Sequence, residues 1–214
     1  MKFVTFQRHG GAPEPGIVSG DKVIGLTGAG FADMLAVIAA GRDGVAKAAD
    51  WASRAPEDAA LDLKSVTLLA PIPRPPKLIC VGLNYRDHAI ESKMEIPKVP
   101  TIFNKFHTAV IGPGAAIVLP KVSTQPDYEA EMAFVVGPGG RNIPASRWPE
   151  HVFGYTIVND VSARDYQFKD GQWSRAKGFD TFSPIGPAIA TGIKATDRLL
   201  LTCRLNGEVR QQSS

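Results

Sequence analysis

The sequence is poor in cysteine and in clustered positive charge. Its 214 residues include two cysteines, and its net charge is only +3. Cys80 and Cys203 lie in separate apolar segments without the short spacing of zinc or redox motifs, so we expect free, buried thiols in a reducing compartment. Lysine and arginine form no run along the chain. The composition therefore excludes a disulfide scaffold and argues against binding to nucleic acid or to a membrane surface.

Long hydrophobic runs are also missing. No window approaches the length of a membrane span, and the first residues, MKFVTFQRHGG, lack the apolar stretch of a signal peptide. We therefore expect a cytoplasmic protein. With 44% hydrophobic and 21% charged residues, the chain is large and apolar enough for one globular domain, or for one domain with a small appendage.

The pattern of residues 1–70 predicts a small N-terminal α+β domain. The segments KFVTFQ and KVIGL alternate like strands, with glycine- and proline-rich turns between them. FADMLAVIAAG predicts a short helix that ends at Gly41, and GVAKAADWASRA predicts a second helix. Residues 71–76 then hold four prolines, which are stiff and cannot join a sheet ladder, so we interpret them as a linker.

Residues 77–214 predict a second, β-rich domain of sandwich, roll or barrel type. Its short apolar strands are KLICVGL, AAIVLP, EAEMAFVVG, VFGYTIVND and IGPAIAT, and RLLLTCRLNGEV predicts a terminal strand. The helical segments NYRDHAIESKM and SRWPEHV are brief. The many glycines and prolines between these elements fit tight turns.

The stretch QPDYEAEMAFVVG places two carboxylates in an apolar strand. Because alternate side chains share a face, Glu129 and Glu131 lie together, about 7 Å apart along the strand. The large apolar side chains Met132, Phe134 and Val136 lie on the opposite face, which we expect to meet a core. Two like charges leave two alternatives: an edge strand whose glutamate face is in water, or a cation between the carboxylates.

A third acid ends the next apolar strand, in GYTIVNDVSARD. Beside the Glu-x-Glu strand, Asp160 would complete a cage of three carboxylates. Such an oxygen-only site suits Mg²⁺, Mn²⁺ or Ca²⁺ better than Zn²⁺.

The segment NYRDHAIES combines an imidazole with a carboxylate. His88 and Glu91 are spaced i, i+3 and would be neighbours on a helix. A carboxylate beside an imidazole raises its basicity and makes it a general base for water. The alternative is a plain surface pair.

Five motifs occur in an order and spacing that resemble the fumarylacetoacetate hydrolase family. They are CVGLNYRDHAIES, FNKFHTAVIGPG, PDYEAEMAFVVG, VNDVSARDYQ and AKGFDTFSPIGP, over residues 77–190. The break at the proline-rich segment is similar to that of two-domain members with a small N-terminal unit. The resemblance implies an α+β, β-rich fold in which a mixed β-sandwich roll follows that unit and forms the catalytic domain.

The resemblance also implies a divalent metal, Mg²⁺ or else Mn²⁺ or Ca²⁺, and three sets of residues around it. These are the metal ligands Glu129, Glu131 and Asp160, the catalytic residues His88, Glu91 and Lys177, and the substrate contacts Arg164 and Gln167. In this scheme Glu91 orients His88 toward water, and Lys177 stabilises developing negative charge. The roles of Asp87, Tyr85 and Lys105, which lie in the same motifs, stay open.

The implied function is a metal-dependent hydrolase of acylpyruvate or diketo-acid substrates, which cleaves a carbon–carbon bond through a metal-bound enolate. One alternative is an isomerase or decarboxylase of 2-oxo or 2-hydroxydienoate acids at the same site. A second alternative is a non-catalytic, truncated remnant. The expected partners are a small keto acid and a second copy of the chain in a homodimer.

Two further expectations concern chain segments. Residues 89–98 have no strong apolar periodicity, and we expect a mobile lid there that brings Glu91 to His88 over a ligand. The sequence stops at Ser214, whereas family members continue into further strands and a Gly-Thr-Gly-Thr-Pro-like loop that lines the substrate site. We therefore expect a C-terminally truncated chain with reduced solubility, because its terminal strand would lack a covering strand.

Overall fold

The computed structural model describes residues 1–194 and 198–214. Within these ranges the chain is strand-rich, with few and short helices. The strands are β1 Lys2–Gln7, β2 Pro13–Ser19, β3 Lys22–Gly25, β4 Ala60–Asp62, β5 Thr67–Leu69, β6 Leu78–Gly82, β7 Thr101–Lys105, β8 Val110–Ile111, β9 Pro126–Asp127, β10 Ala130–Val136, β11 Val152–Asn159, β12 Ser162–Ala163, β13 Ser183–Pro184, β14 Ile189–Ala190, β15 Leu201–Leu205 and β16 Glu208–Ser213. The predicted β-rich α+β class is confirmed.

The α-helices are short and separate. They are α1 Met34–Ala39, α2 Gly41–Arg54, α3 Arg86–Glu91, α4 Arg164–Gln167 and α5 Ser174–Lys177. The segment around SRWPEHV forms a 3₁₀-helix, Ala145–His151. Among the described residues, no helix has both the length and the apolar composition needed to cross a membrane.

The two N-terminal helices meet at Gly41. We predicted that the first helix would end there, but α1 ends at Ala39 and Gly41 opens α2. Gly41 has φ of +56°, a conformation that L side chains rarely adopt, and it turns the chain between the helices. Asp33 starts α1 by accepting a hydrogen bond from the Ala36 N–H at 2.8 Å.

One sheet joins strands from both parts of the chain. Its order is β10-β11-β14-β1-β2-β3-β4, and β5 also pairs with β1. The crossing point is β1, where Phe3 pairs with Ile17 on one side and with Ile189 on the other. Phe3 and Ile189 are fully buried, and the ring centroid of Phe3 lies 5.5 Å from that of Phe153. The N-terminal strands and the strands beside the predicted site therefore share one core.

The outward face of β10 corrects a prediction. We expected Met132, Phe134 and Val136 to meet a core, but all three are exposed, Phe134 by 59%. Val135 on the other face packs against the core around Phe3, and Glu131 on that same face points into a cleft. Because the side-chain period of a strand is two, this choice turns the larger apolar set outward.

Two other segments differ from their predicted structure. The AAIVLP segment, residues 115–120, is not a strand; the Val118 N–H donates to the Thr181 hydroxyl at 2.8 Å instead of joining a ladder. The predicted terminal strand is the hairpin β15–β16, so a following strand does pair with β15. Its turn residues Asn206 and Gly207 have φ of 52° and 87°, as the Asn-Gly pair favours.

Candidate active site

A cleft of about 870 Å³ lies between the end of β6, helix α3, the start of β10, helices α4 and α5, and strand β16. Its lining mixes acidic, basic and aromatic side chains. All eight residues that we predicted as site residues line it: His88, Glu91, Glu129, Glu131, Asp160, Arg164, Gln167 and Lys177. Residues up to 89 positions apart in sequence thus reach one cleft, as their family motifs imply.

The three predicted metal ligands are brought together by strand pairing. Glu129 immediately precedes β10, and Asp160 immediately follows β11. The pairing continues past the strand ends, because the Asp160 N–H donates to the Glu129 carbonyl at 2.8 Å. One potential ligand atom from each of Glu129, Glu131 and Asp160 lies within 4.8 Å of the others. This compact set of oxygens fits a hard divalent cation such as Mg²⁺ or Mn²⁺.

Burial makes it costly to keep all three acids of this cluster ionised. The side chain of Asp160 is only 1% exposed. Burial raises the pKa of Glu131 to about 7, and the neighbouring carboxylates of Asp160 and Glu129 add to the shift. The glutamate face of β10 is partly buried in the cleft, although β10 is the edge strand of its sheet. Of the two glutamates, Glu129 is met by the cationic side chains of Lys177 and Arg164, and a metal ion between the carboxylates stays a prediction.

Lys177 bridges two of the acids from the end of α5. Its Nζ lies 2.7 Å from Glu129 Oε2 and 2.8 Å from Asp160 Oδ2. Burial alone lowers the pKa of this ammonium, but Asp160 and Glu129 outweigh that effect and hold the pKa above its usual value. The same Nζ lies 5.1 Å from the centroid of the Phe103 ring, which packs edge-on against Trp173. Lys177 is therefore held charged and in one place.

A second lysine reaches Asp160 from the other side. Lys105, the last residue of β7, donates to Asp160 Oδ1 at 2.5 Å and to the Val161 carbonyl at 3.1 Å. Burial lowers its pKa, and the charge of Asp160 opposes the shift. We had left the role of Lys105 open. A usable signal was its position in TIFNKF, where alternation puts Lys105 on the same buried face as Phe103.

Arg164 and Gln167 lie on α4 beside the acids. Arg164 Nη1 is 2.7 Å from Glu129 Oε1 and donates to Gln167 Oε1 at 2.7 Å. Its other nitrogens bind Asp127, with Nε at 2.9 Å from Oδ2. Sequence reasoning missed Asp127, although the two-residue spacing of Glu129 and Glu131 continues back to it; in the structure it lies on β9, paired with β12. The Arg164–Asp127 pair fixes the direction of the guanidinium.

His88 and Glu91 lie on α3 at the rim of the cleft, and both are exposed. His88 Nδ1 is 3.5 Å from the hydroxyl of Ser92. Within residues 1–194 the structure records no hydrogen bond between His88 and Glu91, so the predicted dyad contact stays a prediction. Asp87 lines the same cleft, where its Oδ2 accepts from the Ser213 hydroxyl at 2.6 Å.

Two polar side chains hold the backbone that carries the glutamates. The Tyr85 hydroxyl accepts from the Met132 N–H at 3.1 Å. The Gln211 amide accepts from the Ala130 N–H at 2.9 Å and donates to the Tyr128 carbonyl at 3.0 Å. Gln211 therefore spans both peptide groups that flank Glu129. No sequence pattern indicated this contact, because Gln211 lies in a different hairpin.

The family follows from these motifs and from matches along the whole chain. Residues 77–214 match the family described as "Fumarylacetoacetate (FAA) hydrolase C-terminal". The chain belongs to the fumarylacetoacetate hydrolase family. Residues 1–71 match a second family, described as "Rv2993c-like, N-terminal". The resemblance read from the five motifs is confirmed.

Relatives in this family carry the names of different reactions. The chain is 46% identical over 158 residues to the "Oxaloacetate tautomerase fahd2, mitochondrial" of Xenopus laevis, which covers 72% of this chain and 50% of that protein. The solved structure of a 5-carboxymethyl-2-hydroxymuconate delta-isomerase from Mycobacterium smegmatis is similar with a TM-score of 0.78 and 36% identity, over 100% of this chain and 75% of that one.

A third relative was solved with a metal. It is the maleylpyruvate hydrolase of Sphingobium sp. SYK-6 in complex with manganese(II) and pyruvate, similar with a TM-score of 0.80 and 28% identity over 100% of this chain and 76% of that one. The chain thus spans half the length of the frog relative and about three quarters of these solved chains.

Proposed function

We propose that this chain forms a divalent-metal-dependent active site for enolate chemistry on small, anionic 2-oxo acids. The observation that carries the proposal is the compact cluster of Glu129, Glu131 and Asp160 with the buried ammonium of Lys177 against it. Carboxylate oxygens for a hard cation and a fixed positive charge beside them are what a developing enolate oxygen needs.

The metal assignment rests on the ligand atoms. Glu129, Glu131 and Asp160 would hold Mg²⁺ or Mn²⁺, and no sulfur or imidazole is part of the cluster. When bound, such an ion supplies Lewis-acid polarisation of substrate carbonyl and carboxylate oxygens. The manganese in the maleylpyruvate hydrolase structure supports a divalent cation in this family.

The charge balance favours an anionic substrate. Four acids, Asp127, Glu129, Glu131 and Asp160, face three cations, Lys105, Lys177 and Arg164. Four negative against three positive charges leave at most one net negative charge, so a divalent cation would make the site positive and attractive to carboxylates. In the proposal Lys177 stabilises the negative charge that develops on the substrate oxygen, and Arg164 with Gln167 contacts the substrate from α4.

Our first candidate reaction is hydrolysis of an acylpyruvate or diketo acid. His88 would take a proton from water, and the hydroxide would add to the acyl carbonyl. The carbon–carbon bond then breaks, its electrons pass to the pyruvyl enolate, and protonation gives pyruvate and a carboxylic acid. The placement of His88 and Glu91 on the cleft that holds the acids favours this candidate.

The second candidate is tautomerisation or isomerisation of a 2-oxo dicarboxylate, and decarboxylation of a β-keto acid is a variant of it. Neither needs an activated water, so the acids and Lys177 could support either without the His88–Glu91 contact, which the structure does not record. The 46% identity to a protein named oxaloacetate tautomerase favours tautomerisation.

Product analysis by NMR would separate these reactions. The protein is incubated with Mg²⁺ and acetylpyruvate in one assay, and with Mg²⁺ and enol-oxaloacetate in another. Equal yields of acetate and pyruvate indicate the hydrolase, keto-oxaloacetate alone indicates the tautomerase, and pyruvate from oxaloacetate indicates the decarboxylase. Glu129→Ala is the matched inactive control. If Mg²⁺ does not bind, or if Glu129→Ala leaves every rate unchanged, enolate chemistry at this metal site is wrong.

A cytoplasmic location and a homodimer also remain proposals. Analytical ultracentrifugation of the purified chain tests the dimer, and a fluorescent fusion tests the location.

A further inference from the structure

We propose that Lys105 is a positioning residue of the metal centre, which holds one oxygen of Asp160 away from the cleft so that only the other oxygen serves as a ligand. The inference rests on the proposed metal site. Lys105 does not line the cleft, so it would act on the metal only through its contact with Asp160.

The location of Lys105 separates it from the other lysine of the site. Its side chain is 0% exposed, and it is not among the residues that line the cleft. It follows Asn104 on β7, directly across from Leu78 on β6. Lys177, by contrast, lines the cleft. Asp160 therefore contacts one lysine that lines the cleft, Lys177, and one that does not, Lys105.

The two lysines take different oxygens of the same carboxylate. Lys105 binds Oδ1, and Lys177 binds Oδ2. Lys105 has a second acceptor, the Val161 carbonyl, which lies one residue further along the chain than Asp160. The two acceptors come from consecutive residues, so the ammonium fixes the Asp160 carboxylate relative to its own backbone.

A buried lysine is an expensive way to fill this position. Burying an ammonium is costly, and a buried ion pair is often no more stable than a well-packed apolar side chain. Orientation explains its presence better than stability does. A carboxylate with both oxygens free can rotate or bind a cation through two atoms, whereas one with a fixed Oδ1 presents Oδ2 alone. Groups that orient a ligand in this way typically change metal affinity by about 10- to 100-fold.

Simple electrostatics and positioning predict opposite effects of removing Lys105. Loss of a positive charge near a cation site should strengthen cation binding. Loss of a positioning group should weaken it. The sign of the change in metal affinity therefore distinguishes the two roles without any measurement of turnover.

The experiment measures Mn²⁺ binding by calorimetry and by the EPR signal of free Mn²⁺. We expect Lys105→Met to bind Mn²⁺ about tenfold more weakly than wild type or worse, with a native circular dichroism spectrum. Lys177→Met removes an equal charge from the cleft side, and we expect binding no weaker than wild type because that ammonium occupies Oδ2. Lys121→Met, at an exposed lysine, is the control and should match wild type.

Several results would overturn the proposal. Wild-type or tighter Mn²⁺ binding by folded Lys105→Met is one, and equal losses in Lys105→Met and Lys177→Met are another. If Lys105→Met does not fold, a wild-type crystal structure with Mn²⁺ decides: the proposal requires Lys105 on Oδ1 and the ion on Oδ2 only, and two-atom ligation by Asp160 contradicts it. A wild-type chain that binds no Mn²⁺ would instead refute the proposed function.

Discussion

Among single residues, the acids of the site differ in their contacts, and His88 is not part of their ion pairs. Asp160 meets two lysines, Glu129 meets Lys177 and Arg164, and Glu131 carries the raised pKa. His88 lies apart from this network, and its ring contacts Ser92 at 3.5 Å. The acids and the imidazole should therefore respond separately to mutation.

His88→Ala should keep metal binding and lose hydrolysis. The imidazole serves water and not the ion, so we expect unchanged Mg²⁺ affinity by calorimetry and a loss of turnover of about 10²- to 10⁴-fold. His9→Ala, at an exposed histidine of the N-terminal part, is the matched control and should behave as wild type. If Mg²⁺ binding disappears with His88, the imidazole is a ligand and the assigned role is wrong.

The two thiols should differ in reactivity. Burial raises the pKa of Cys80 to about 12, and nearby Asp160 adds to the shift, so this thiol stays protonated and unreactive near neutral pH. The pKa of the half-buried Cys203 is also raised, first by burial. With Ellman's reagent we expect at most one thiol to react in the folded chain and both in guanidinium. Rapid reaction of folded Cys203→Ser would contradict the burial of Cys80.

At the scale of elements, the site depends on how β10 is held at its start. The Glu129 N–H donates to the Asn159 side chain at 3.1 Å, and the Glu129 carbonyl accepts from Asp160. On the other side of this backbone, Gln211 of β16 bonds both flanking peptide groups. Glu129 is thus fixed by β11 and by the β15–β16 hairpin together.

Gln211→Leu should loosen Glu129. It leaves the Ala130 N–H and the Tyr128 carbonyl without their partner, at a cost of about 1–3 kcal/mol in unfolding free energy. We expect weaker Mg²⁺ binding as well. Gln7→Leu removes a side-chain bond to the Gly11 carbonyl in the N-terminal hairpin and is the matched control. It should leave Mg²⁺ affinity unchanged; equal affinities in both variants would show that Gln211 does not position Glu129.

The segment after α3 should become ordered when a ligand binds. Helix α3 ends at Glu91, and residues 92–100 form no helix or strand. We expect hydrogen exchange of residues 89–98 to slow when oxalate and Mg²⁺ are added, because closure of this segment over the ligand would shield its amides from water. Exchange across β1, in the shared core, serves as the internal control. Equal protection of residues 89–98 in both states would argue against a lid.

At the scale of the whole molecule, one sheet and one core connect the N-terminal part to the strands of the site. The Phe3–Phe153 contact and the β1–β14 pairing join residues that precede the proline-rich segment, which we interpreted as a linker, to residues that follow it. The outer face of β10 and β11 is apolar and exposed, with Met132 paired beside Ile157. An exposed apolar patch of this kind favours association of the chain with itself or with other molecules.

Phe134→Ser should make the chain less prone to associate. Phe134 is exposed on that outer face, so its replacement removes apolar surface without opening a core cavity. We expect lower fluorescence of the dye ANS and lower light scattering at high concentration, with the melting temperature nearly unchanged. Val99→Ser changes an exposed valine in the 92–100 segment and is the control. If both variants scatter light like wild type, the β10–β11 face does not drive association.

Features that depend on local pattern and motif spacing could be predicted from the amino-acid sequence. Strand β1 follows from apolar alternation, strands β6, β10 and β11 follow from short apolar segments between turns, and the shared face of Glu129 and Glu131 follows from the two-residue period of a strand. The order of five motifs identified the family. The Asn-Gly pair of the β15–β16 turn was also a readable local signal, although we predicted one continuous strand there.

The buried face of β10 and the partners of the acids could not be predicted from the sequence, because they depend on how distant segments pack. Alternation divides a strand into two faces, but the packing of distant residues determines which face turns inward. Lys105 meets Asp160 across 55 positions of sequence, and Gln211 meets Ala130 across 81. Such contacts leave no periodic signal, because they arise where separate strands end beside one another and buried charges must find a partner.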